Sequence, residues 1–200
     1  RAPGFDIWEE GLRVTYGARF LADWTGTTSV GGFLSHSQRI DGDPVFAAGS
    51  GLSNDQSDIV ASLDVNLSQF VIAADTRIDP QTGTLNRVNF STYGSYGPVS
   101  GVLVYTRFDD SQVLPGPREE AVLSLSTRIT DNWSFGYSVT RDLEADVSRL
   151  QSAGFTYRDY CTELAIIYQR ENYTYGVLGP SESVQIRLTL FTLGSVGSED

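Results

Sequence analysis

The chain has 200 residues, 40% of them hydrophobic, and no stretch is long and apolar enough for a membrane-spanning helix. The 14 basic residues, all of them arginine, stand against 25 acidic ones, and the net charge of −11 argues against a nucleic-acid-binding protein. One cysteine cannot form an internal disulfide, and one histidine cannot build a multi-histidine metal site. Because methionine and a signal peptide are both absent, we expect the chain to be part of a longer mature protein.

Apolar and polar residues alternate along most of the first half of the chain, which is typical of half-buried strands. The clearest case begins at Leu12 and ends at Trp24. Further strands are predicted at Ser29–Ile40, weakened and interrupted by Gly31-Gly32, and at Asp58–Leu67, Phe70–Ile78, Leu85–Gly94 and Val99–Phe108. The Gly-, Asp- and Ser-rich stretch 41–57 and the segment 79–84 are predicted loops.

The second half repeats this pattern. Polar loops are predicted at 109–119, 142–148 and 172–182, and strands at Ala121–Ile129, Trp133–Thr140, Ala153–Arg158, Glu163–Arg170 and Val184–Leu190. The fourth of these strands follows the third after a very short turn that contains Cys161. The whole chain therefore predicts about eleven strands and no helix.

The connections between strands favour a membrane barrel. Short turns alternate with longer loops, and the strands are about ten residues long, as in outer-membrane barrels. Trp24, Phe70 and Trp133 each stand beside a short turn, where aromatic residues would form an interfacial girdle. The predicted fold is an all-β, antiparallel up-and-down transmembrane β-barrel, with residues 1–200 forming the C-terminal portion of a larger barrel because eleven is an odd number. The alternatives are a passive porin or autotransporter-type barrel and a soluble β-sandwich that binds a ligand.

Several segments, in the same order along the chain, resemble the LptD family of lipopolysaccharide-assembly proteins, in its alphaproteobacterial form. They are the segments Phe5–Gly17, Gly42–Leu52 and Ile129–Ser134, the Cys161 turn and the closing Leu190–Gly194. The resemblance implies a barrel in the outer membrane of a Gram-negative bacterium, preceded by a periplasmic jelly-roll domain that lies outside this chain. It also implies that lipopolysaccharide leaves sideways through a lateral gate between the first and last strands.

The same resemblance implies partners and two kinds of site. The partners are lipopolysaccharide, membrane lipid, an LptE-type lipoprotein plug, the periplasmic Lpt bridge and the barrel-assembly machinery. The gate strand would be Ser183–Leu193, and it contains Ser183, Val184, Ile186, Leu188 and Leu190. In some family members, cysteines at the turn that matches Cys161 form disulfides with cysteines of the periplasmic domain. Because the periplasm is oxidising and disulfides persist there, we expect a disulfide from Cys161 to a cysteine outside this chain.

Arginines on the polar face are the remaining candidate site. They are Arg13, Arg19, Arg77, Arg87, Arg107, Arg128, Arg158 and Arg187, which would face the barrel lumen. Their guanidinium groups suit the phosphates of lipopolysaccharide, but they could equally pair with lumen carboxylates such as Asp23, Asp64 and Asp75. His36 could act only as an isolated base, since no nucleophile motif accompanies it. The sequence therefore predicts a transport component with no catalytic residue, metal or cofactor.

Overall fold

The computed structural model describes residues 10–24, 26–47, 49–109, 118–172 and 179–191, and the regular structure of this part of the chain consists of β-strands alone. The strands are β1 Leu12–Trp24, β2 Thr28–Asp41, β3 Ile59–Leu67, β4 Phe70–Ile78, β5 Leu85–Tyr96, β6 Val99–Phe108, β7 Arg118–Arg128, β8 Trp133–Asp142, β9 Val147–Arg158, β10 Thr162–Glu171 and β11 Ser181–Leu190. They follow sequence order in an 11-stranded sheet. This order confirms the predicted all-β, antiparallel up-and-down class. No helix in the described residues could cross a membrane.

The chain divides into two compact units. The first comprises Arg1–Thr92 and Val104–Glu120, and the second comprises Tyr93–Leu103 and Ala121–Asp200. In the first unit, β1 to β4 form consecutive antiparallel pairs. In the second unit, β8 to β11 do the same.

Register places polar and apolar side chains on opposite faces of the first unit, because directly opposed residues in an antiparallel pair point to the same side. One row across β1 to β4 is Phe20, Gly32, Leu63 and Ala74, and the adjacent row is Arg19, Phe33, Ser62 and Asp75. The second unit shows the same separation, with the row Phe135, Phe155, Ile166 and Ile186 beside the row Ser134, Thr156, Ala165 and Arg187. The alternation in the sequence therefore becomes a difference between two sheet faces.

Neither unit buries a hydrophobic core of its own in the described residues. Ala165, 2% exposed, is the only hydrophobic residue there that counts as buried. Large apolar side chains remain exposed on every strand, and Leu21 and Ile186 are 69% and 68% exposed. Exposed apolar area costs roughly 25 cal/mol per Å² in water, so these faces require an apolar environment or a covering partner. The two packed sheets of a β-sandwich are not observed among the described strands, which all belong to one sheet.

The connections follow the predicted alternation with one exception. Short turns span residues 25–27, 68–69, 97–98, 129–132 and 159–161, whereas the segments 42–58, 79–84, 109–117 and 172–180 are longer. The predicted acidic loop Asp142–Ser148 is wrong in extent, since β8 continues to Asp142 and β9 starts at Val147. The carboxylate of Asp142 accepts a hydrogen bond from the backbone N–H of Ala145 at 2.8 Å and one from Arg149 Nε at 2.9 Å. These bonds close the turn tightly and extend the hairpin.

A second correction concerns β2, which runs unbroken through Gly31-Gly32 instead of being interrupted there. Gly32 stands opposite Phe20 on β1, and a Cβ on Gly32 would lie 2.2 Å from the Phe20 ring. The aromatic ring therefore covers the glycine, and the missing side chain leaves room for the ring instead of breaking the strand.

Candidate functional site

The predicted lumen-facing arginines occur in both units. Arg13, Arg19 and Arg77 share one face of the first unit, which follows from the printed pairs of β1 to β4. In the second unit, Arg158 on β9 stands opposite Glu163 on β10, and Arg187 on β11 stands opposite Ala165 on β10. Glu163 and Ala165 are two residues apart on one strand and point to the same side, so Arg158 and Arg187 share the polar face. Arg87 lines the same hollow as Arg77, and Arg107 lies 3.6 Å from Asp109. Arg128 lines a hollow in the second unit together with Arg158. That these faces line a barrel lumen stays a prediction.

In the first unit, three arginines of this polar face hold the segment that connects β2 to β3. We call residues 42–58 the β2–β3 loop; residues 42–47 and 49–58 of it are described. Arg39 Nη1 donates to the Asp43 carbonyl at 3.0 Å, and its Nη2 donates to the Leu52 carbonyl at 3.3 Å. Arg13 Nη2 donates to the same Leu52 carbonyl at 3.5 Å, and its guanidinium stands 5.6 Å from the centre of the Phe46 ring. The loop thus lies against the arginines instead of projecting away from the strands.

Asp58, at the end of the loop, is the centre of the third attachment. Its Oδ2 accepts hydrogen bonds from Arg77 Nη2 at 2.9 Å and from Asn86 Nδ2 at 3.0 Å. The same Arg77 nitrogen also donates to the Ser50 carbonyl, and the Asp58 N–H donates to the Gly51 carbonyl at 2.8 Å. The Asp58 residue is 8% exposed, so its charge is paired where water has little access. We call Arg13, Arg39, Arg77 and Asp58 the loop anchor.

Gly51 is required at the anchor for two reasons. Its φ of 75° lies in the left-handed region, which other residues rarely adopt. A Cβ at this position would also lie 1.8 Å from Arg77 Nη2 and 2.6 Å from the Asp58 carboxylate. The missing side chain is therefore what lets the ion pair form directly beneath the loop.

His36 and Ser57 lie beside the anchor but do not form a catalytic pair. The Ser57 hydroxyl donates to the Asp58 carbonyl at 2.9 Å and accepts the Ser37 N–H at 2.8 Å, so its proton is already used by the backbone. Its distance to His36 Nδ1 is 3.5 Å, and the imidazole packs edge-on against the Tyr16 ring at 5.6 Å. No group of three His, Cys, Asp or Glu side chains within the described ranges could hold a metal ion.

In the second unit, the polar-face arginines share one carboxylate. Glu163 on β10 lies 3.8 Å from Arg158 on β9 and 3.8 Å from Arg187 on β11. The two arginine side chains are 67% and 60% exposed, so both pairs are weak. Arg158 also stands 5.1 Å from the centre of the Phe191 ring. Within the described residues, predicted lumen arginines pair with Asp58, Asp109 and Glu163, three carboxylates that the sequence did not single out.

The turn that contains Cys161 is shaped by the aspartate two residues before it. Asp159 Oδ1 accepts the backbone N–H of Cys161 at 2.8 Å and that of Thr162 at 2.7 Å, and Oδ2 accepts the Tyr157 hydroxyl at 3.1 Å. The hydrogen bond from the Cys161 N–H, followed by that from Thr162, lowers the pKa of the Asp159 carboxyl below its ordinary value. Cys161 itself is a free, exposed cysteine. A disulfide to a cysteine outside this chain is compatible with that exposure and stays a prediction.

The predicted gate strand corresponds to β11. It pairs with β10 from Thr162 opposite Leu190 to Glu171 opposite Ser181, and among the described strands it has a neighbour on this side only. All of its residues are exposed, with Val184, Ile186 and Leu188 at 66%, 68% and 61%. The strand ends at Leu190 and is followed by Phe191, and residues 192–193 of the predicted gate strand lie outside the described residues.

The three predicted interfacial aromatic residues all stand at strand ends next to short turns. Trp24 is the last residue of β1, and Phe70 and Trp133 are the first residues of β4 and β8. They are 55%, 43% and 39% exposed. Their position matches the expectation, and their role at a membrane interface stays a prediction.

Sequence reasoning missed Arg39, Asp58 and Asn86, which complete the attachment of the β2–β3 loop. Asp58 is the residue directly before β3, and Arg39 lies near the end of β2, so each looks like an ordinary polar residue at a strand end. The one signal in the sequence was the pair of glycines within the loop, Gly49 and Gly51. Both have positive φ in the structure, and a glycine at such a position marks a defined backbone path.

The chain matches the model of a known protein family. A family model described as LptD: LPS transport system D matches residues 1–104, just over half of the chain. The matched part contains β1 to β5, the start of β6 and the complete β2–β3 loop. No curated protein matches the chain.

Proposed function

The chain belongs to the LptD family of lipopolysaccharide transport, and on that premise we propose that it is the C-terminal part of an outer-membrane β-barrel that inserts lipopolysaccharide into the outer leaflet through a lateral gate. LptD is a transport component of the outer membrane and not a family of enzymes. Transport here means moving an intact amphiphile from one environment to another, without making or breaking covalent bonds.

One observation carries the barrel part of the proposal: every described strand exposes large apolar side chains, while the described residues bury almost none of theirs. A bilayer provides the missing apolar environment, with acyl chains covering the apolar face. In hydrocarbon every backbone polar group needs a partner, which a sheet achieves only by closing on itself. The strands missing from the sheet would come from the part of the protein before residue 1.

The gate is assigned to β11, whose outer edge would meet the first strand of the complete barrel. Pro180 directly precedes the strand and has no backbone N–H to donate, which limits pairing at that end. Lipopolysaccharide would arrive from the periplasmic Lpt bridge, pass the polar interior with an LptE-type lipoprotein as plug, and leave where this seam parts. The barrel-assembly machinery would insert the folded barrel.

Among the arginines, Arg187 is the better candidate for a lipopolysaccharide phosphate. It lies on the gate strand, its side chain is 60% exposed, and its carboxylate partner is 3.8 Å away, so little has to be broken for it to turn towards a phosphate. Arg13, by contrast, is engaged with Leu52 and Phe46 of the β2–β3 loop. Photocrosslinking of lipopolysaccharide near position 187 should decrease in Arg187→Gln and persist in Arg13→Gln; equal crosslinking in wild type and Arg187→Gln would remove Arg187 from the pathway.

The gate is tested in the full-length protein by a cysteine pair that joins Ser183 of β11 to the first strand. Oxidation should stop the appearance of new lipopolysaccharide at the cell surface, and a reductant should restore it. The matched control places the pair between Ser183 and Gln169, which face each other across the β10–β11 ladder away from the seam. Normal export with the seam locked would reject the lateral gate.

A further inference from the structure

We propose that the apolar face of the second unit ends in a binding site for the phosphate groups of lipopolysaccharide in the outer leaflet, formed by Arg141 and Arg170. The inference rests on the proposed function, because this face meets lipid, and the long loops lie outside the cell, only if the chain is part of an outer-membrane barrel. It adds a site on the outside of the barrel, beside the strand assigned to the gate.

Register sorts the side chains of the apolar face into four rows that cross β8 to β11. Directly opposed residues share a face, and every second residue along a strand returns to it. From the short turns to the long loops, the rows are Trp133, Tyr157, Leu164 and Leu188; Phe135, Phe155, Ile166 and Ile186; Tyr137, Ala153, Tyr168 and Val184; and Val139, Gln151, Arg170 and Glu182. The first three rows contain only apolar or aromatic residues, whereas the fourth is mainly polar. The apolar band therefore ends between the third row and the fourth.

Aromatic rings mark both limits of this band. In the first row, the rings of Trp133 and Tyr157 have their centres 5.2 Å apart. In the third row, the aromatic residues are Tyr137 and Tyr168. Tryptophan and tyrosine favour the two membrane interfaces, where the ring meets hydrocarbon and its polar edge meets water. The guanidinium of Arg170, directly beyond the tyrosines, is then at the level of the lipid headgroups.

Arg170 and Arg141 supply the positive charge at this level. Arg170 Nε lies 3.5 Å from a carboxylate oxygen of Glu182 on β11, and the arginine side chain is 48% exposed. Arg141, two residues beyond Val139 on β8, pairs with Asp146 through Nη2, and its side chain is 45% exposed. Exposed pairs of this kind are weak, and a guanidinium has five N–H groups. Both arginines can therefore bind a further anion without leaving their partners.

The spacing of the two arginines fits a headgroup with two phosphates. Only β9 lies between their strands, so they are about 10 Å apart across the sheet, and Arg141 lies roughly 7 Å further along. The sugar backbone of lipopolysaccharide is a disaccharide that carries a phosphate at each end, whereas a glycerophospholipid such as phosphatidylglycerol presents one. Guanidinium groups bind phosphate through paired hydrogen bonds. Gln151, on β9 between the arginines, has an amide that can donate to the sugar and accept from it.

The position beside β11 gives the site its role. Arg170 is on β10, which pairs with β11 along its whole length, and its partner Glu182 is on β11 itself. An amphiphile that leaves at the outer edge of β11 has one strand spacing, roughly 5 Å, to cross before its headgroup meets Arg170. The site therefore receives the headgroup after it has left the gate and holds it at the outer surface.

The test measures binding of lipopolysaccharide from the lipid side. The full-length protein, with its lipoprotein partner, is placed in phosphatidylcholine nanodiscs that contain a varied fraction of lipopolysaccharide. A photoreactive residue replaces Tyr168, which is 39% exposed on the same face. Arg141→Gln combined with Arg170→Gln removes the site, and the corresponding double lysine variant keeps its charge. Glu182→Gln is the matched control, because it breaks the same ion pair and leaves Arg170 charged.

Half-maximal crosslinking should need roughly fivefold more lipopolysaccharide in the double glutamine variant, since charge-assisted hydrogen bonds to both phosphates are lost. The double lysine variant should recover part of the lost binding, and Glu182→Gln should match or exceed wild type. Wild-type protein should crosslink as weakly to dephosphorylated lipopolysaccharide as the double glutamine variant does to the intact form. An unchanged curve in the double glutamine variant would overturn the proposal, as would an equal loss in Glu182→Gln or equal competition by phosphatidylglycerol.

Failure of the gate would look different from failure of this site. The nanodisc assay measures binding and needs no transport, whereas the seam lock at Ser183 measures export in cells. Normal export with the seam locked would reject the gate and leave the outer site in place. Loss of the difference between wild type and the double glutamine variant would reject the site and leave the gate in place.

Discussion

Replacing Asp58 with alanine should release the β2–β3 loop to proteases. The carboxylate accepts hydrogen bonds from Arg77 at 2.9 Å and Asn86 at 3.0 Å. Removing one partner of a buried ion pair costs about 3–5 kcal/mol, because the other charge is left unpaired. The Arg77 side chain is 26% exposed and can regain part of its hydration. We therefore expect opening of the loop to become easier by about 2–3 kcal/mol.

Chymotrypsin is a suitable probe, since the loop contains Phe46 and Leu52 but no basic residue for trypsin. When a segment opens and closes faster than it is cut, the cleavage rate follows the population of the open form. The expected change in free energy then corresponds to roughly 30- to 140-fold faster cleavage of Asp58→Ala in isolated outer membranes.

Glu163→Ala provides the comparison, because among the described residues this carboxylate pairs with Arg158 and Arg187, whose side chains are 67% and 60% exposed. Exposed ion pairs contribute about 0–1 kcal/mol to stability. Because the pairs of Glu163 also lie in the second unit, the β2–β3 loop of Glu163→Ala should be cut at the wild-type rate. If Asp58→Ala were also cut at the wild-type rate, burial of the ion pair would not be what holds the loop, and the reasoning would be refuted.

Other predictions concern the anchor glycine and the Cys161 turn. Gly51→Ala should speed chymotrypsin cleavage as Asp58→Ala does. Gly83 also has positive φ, but a Cβ added there would meet nothing within 4 Å, so Gly83→Ala should leave the cleavage rate unchanged. Equal effects of the two substitutions would point to backbone strain alone. The lowered pKa of Asp159 means that its folded form holds protons less tightly than the unfolded chain, so its stabilisation is present above the ordinary value of 3.8 and is lost as pH falls below it. Hydrogen exchange of the Thr162 amide, corrected for the intrinsic rate, should show protection that is constant near neutrality and declines in acid. Asp159→Ala should lack this protection at every pH. A wild-type protection that does not change with pH would contradict the assigned role of Asp159. On non-reducing gels the full-length protein should shift in mobility with Cys161→Ser, and an unchanged band would exclude the predicted disulfide.

The strands were predictable because their signal is local. In β1, the apolar residues from Leu12 to Trp24 recur at every second position, and the pleat sends such residues to one face whatever surrounds them. Turn positions were predictable for a similar reason, as glycine at residue 26 allows the positive φ of a tight turn. The exceptions came from side chains acting across the turn or the sheet, as when Asp142 closes its hairpin early and Phe20 covers Gly32.

The loop anchor could not be predicted, since its partners are distant in sequence. Arg77 and Ser50 are 27 positions apart, and Arg13 and Leu52 are 39 apart. No periodicity connects such residues, and each arginine alone fits a solvated polar face equally well. Their meeting depends on the register of β1 with β2 and of β3 with β4, which brings the three guanidinium groups to one end of one face.

The amino-acid sequence by itself determined the strands, their order and the separation of polar from apolar faces, because alternation is a property of the extended backbone. Only the tertiary structure decided that residues 42–58 lie across the polar face, and which arginines they occupy. Ion pairs and carbonyl contacts of this kind form only after several strands have paired in register, so the information for them is distributed over the fold and is absent from any single segment.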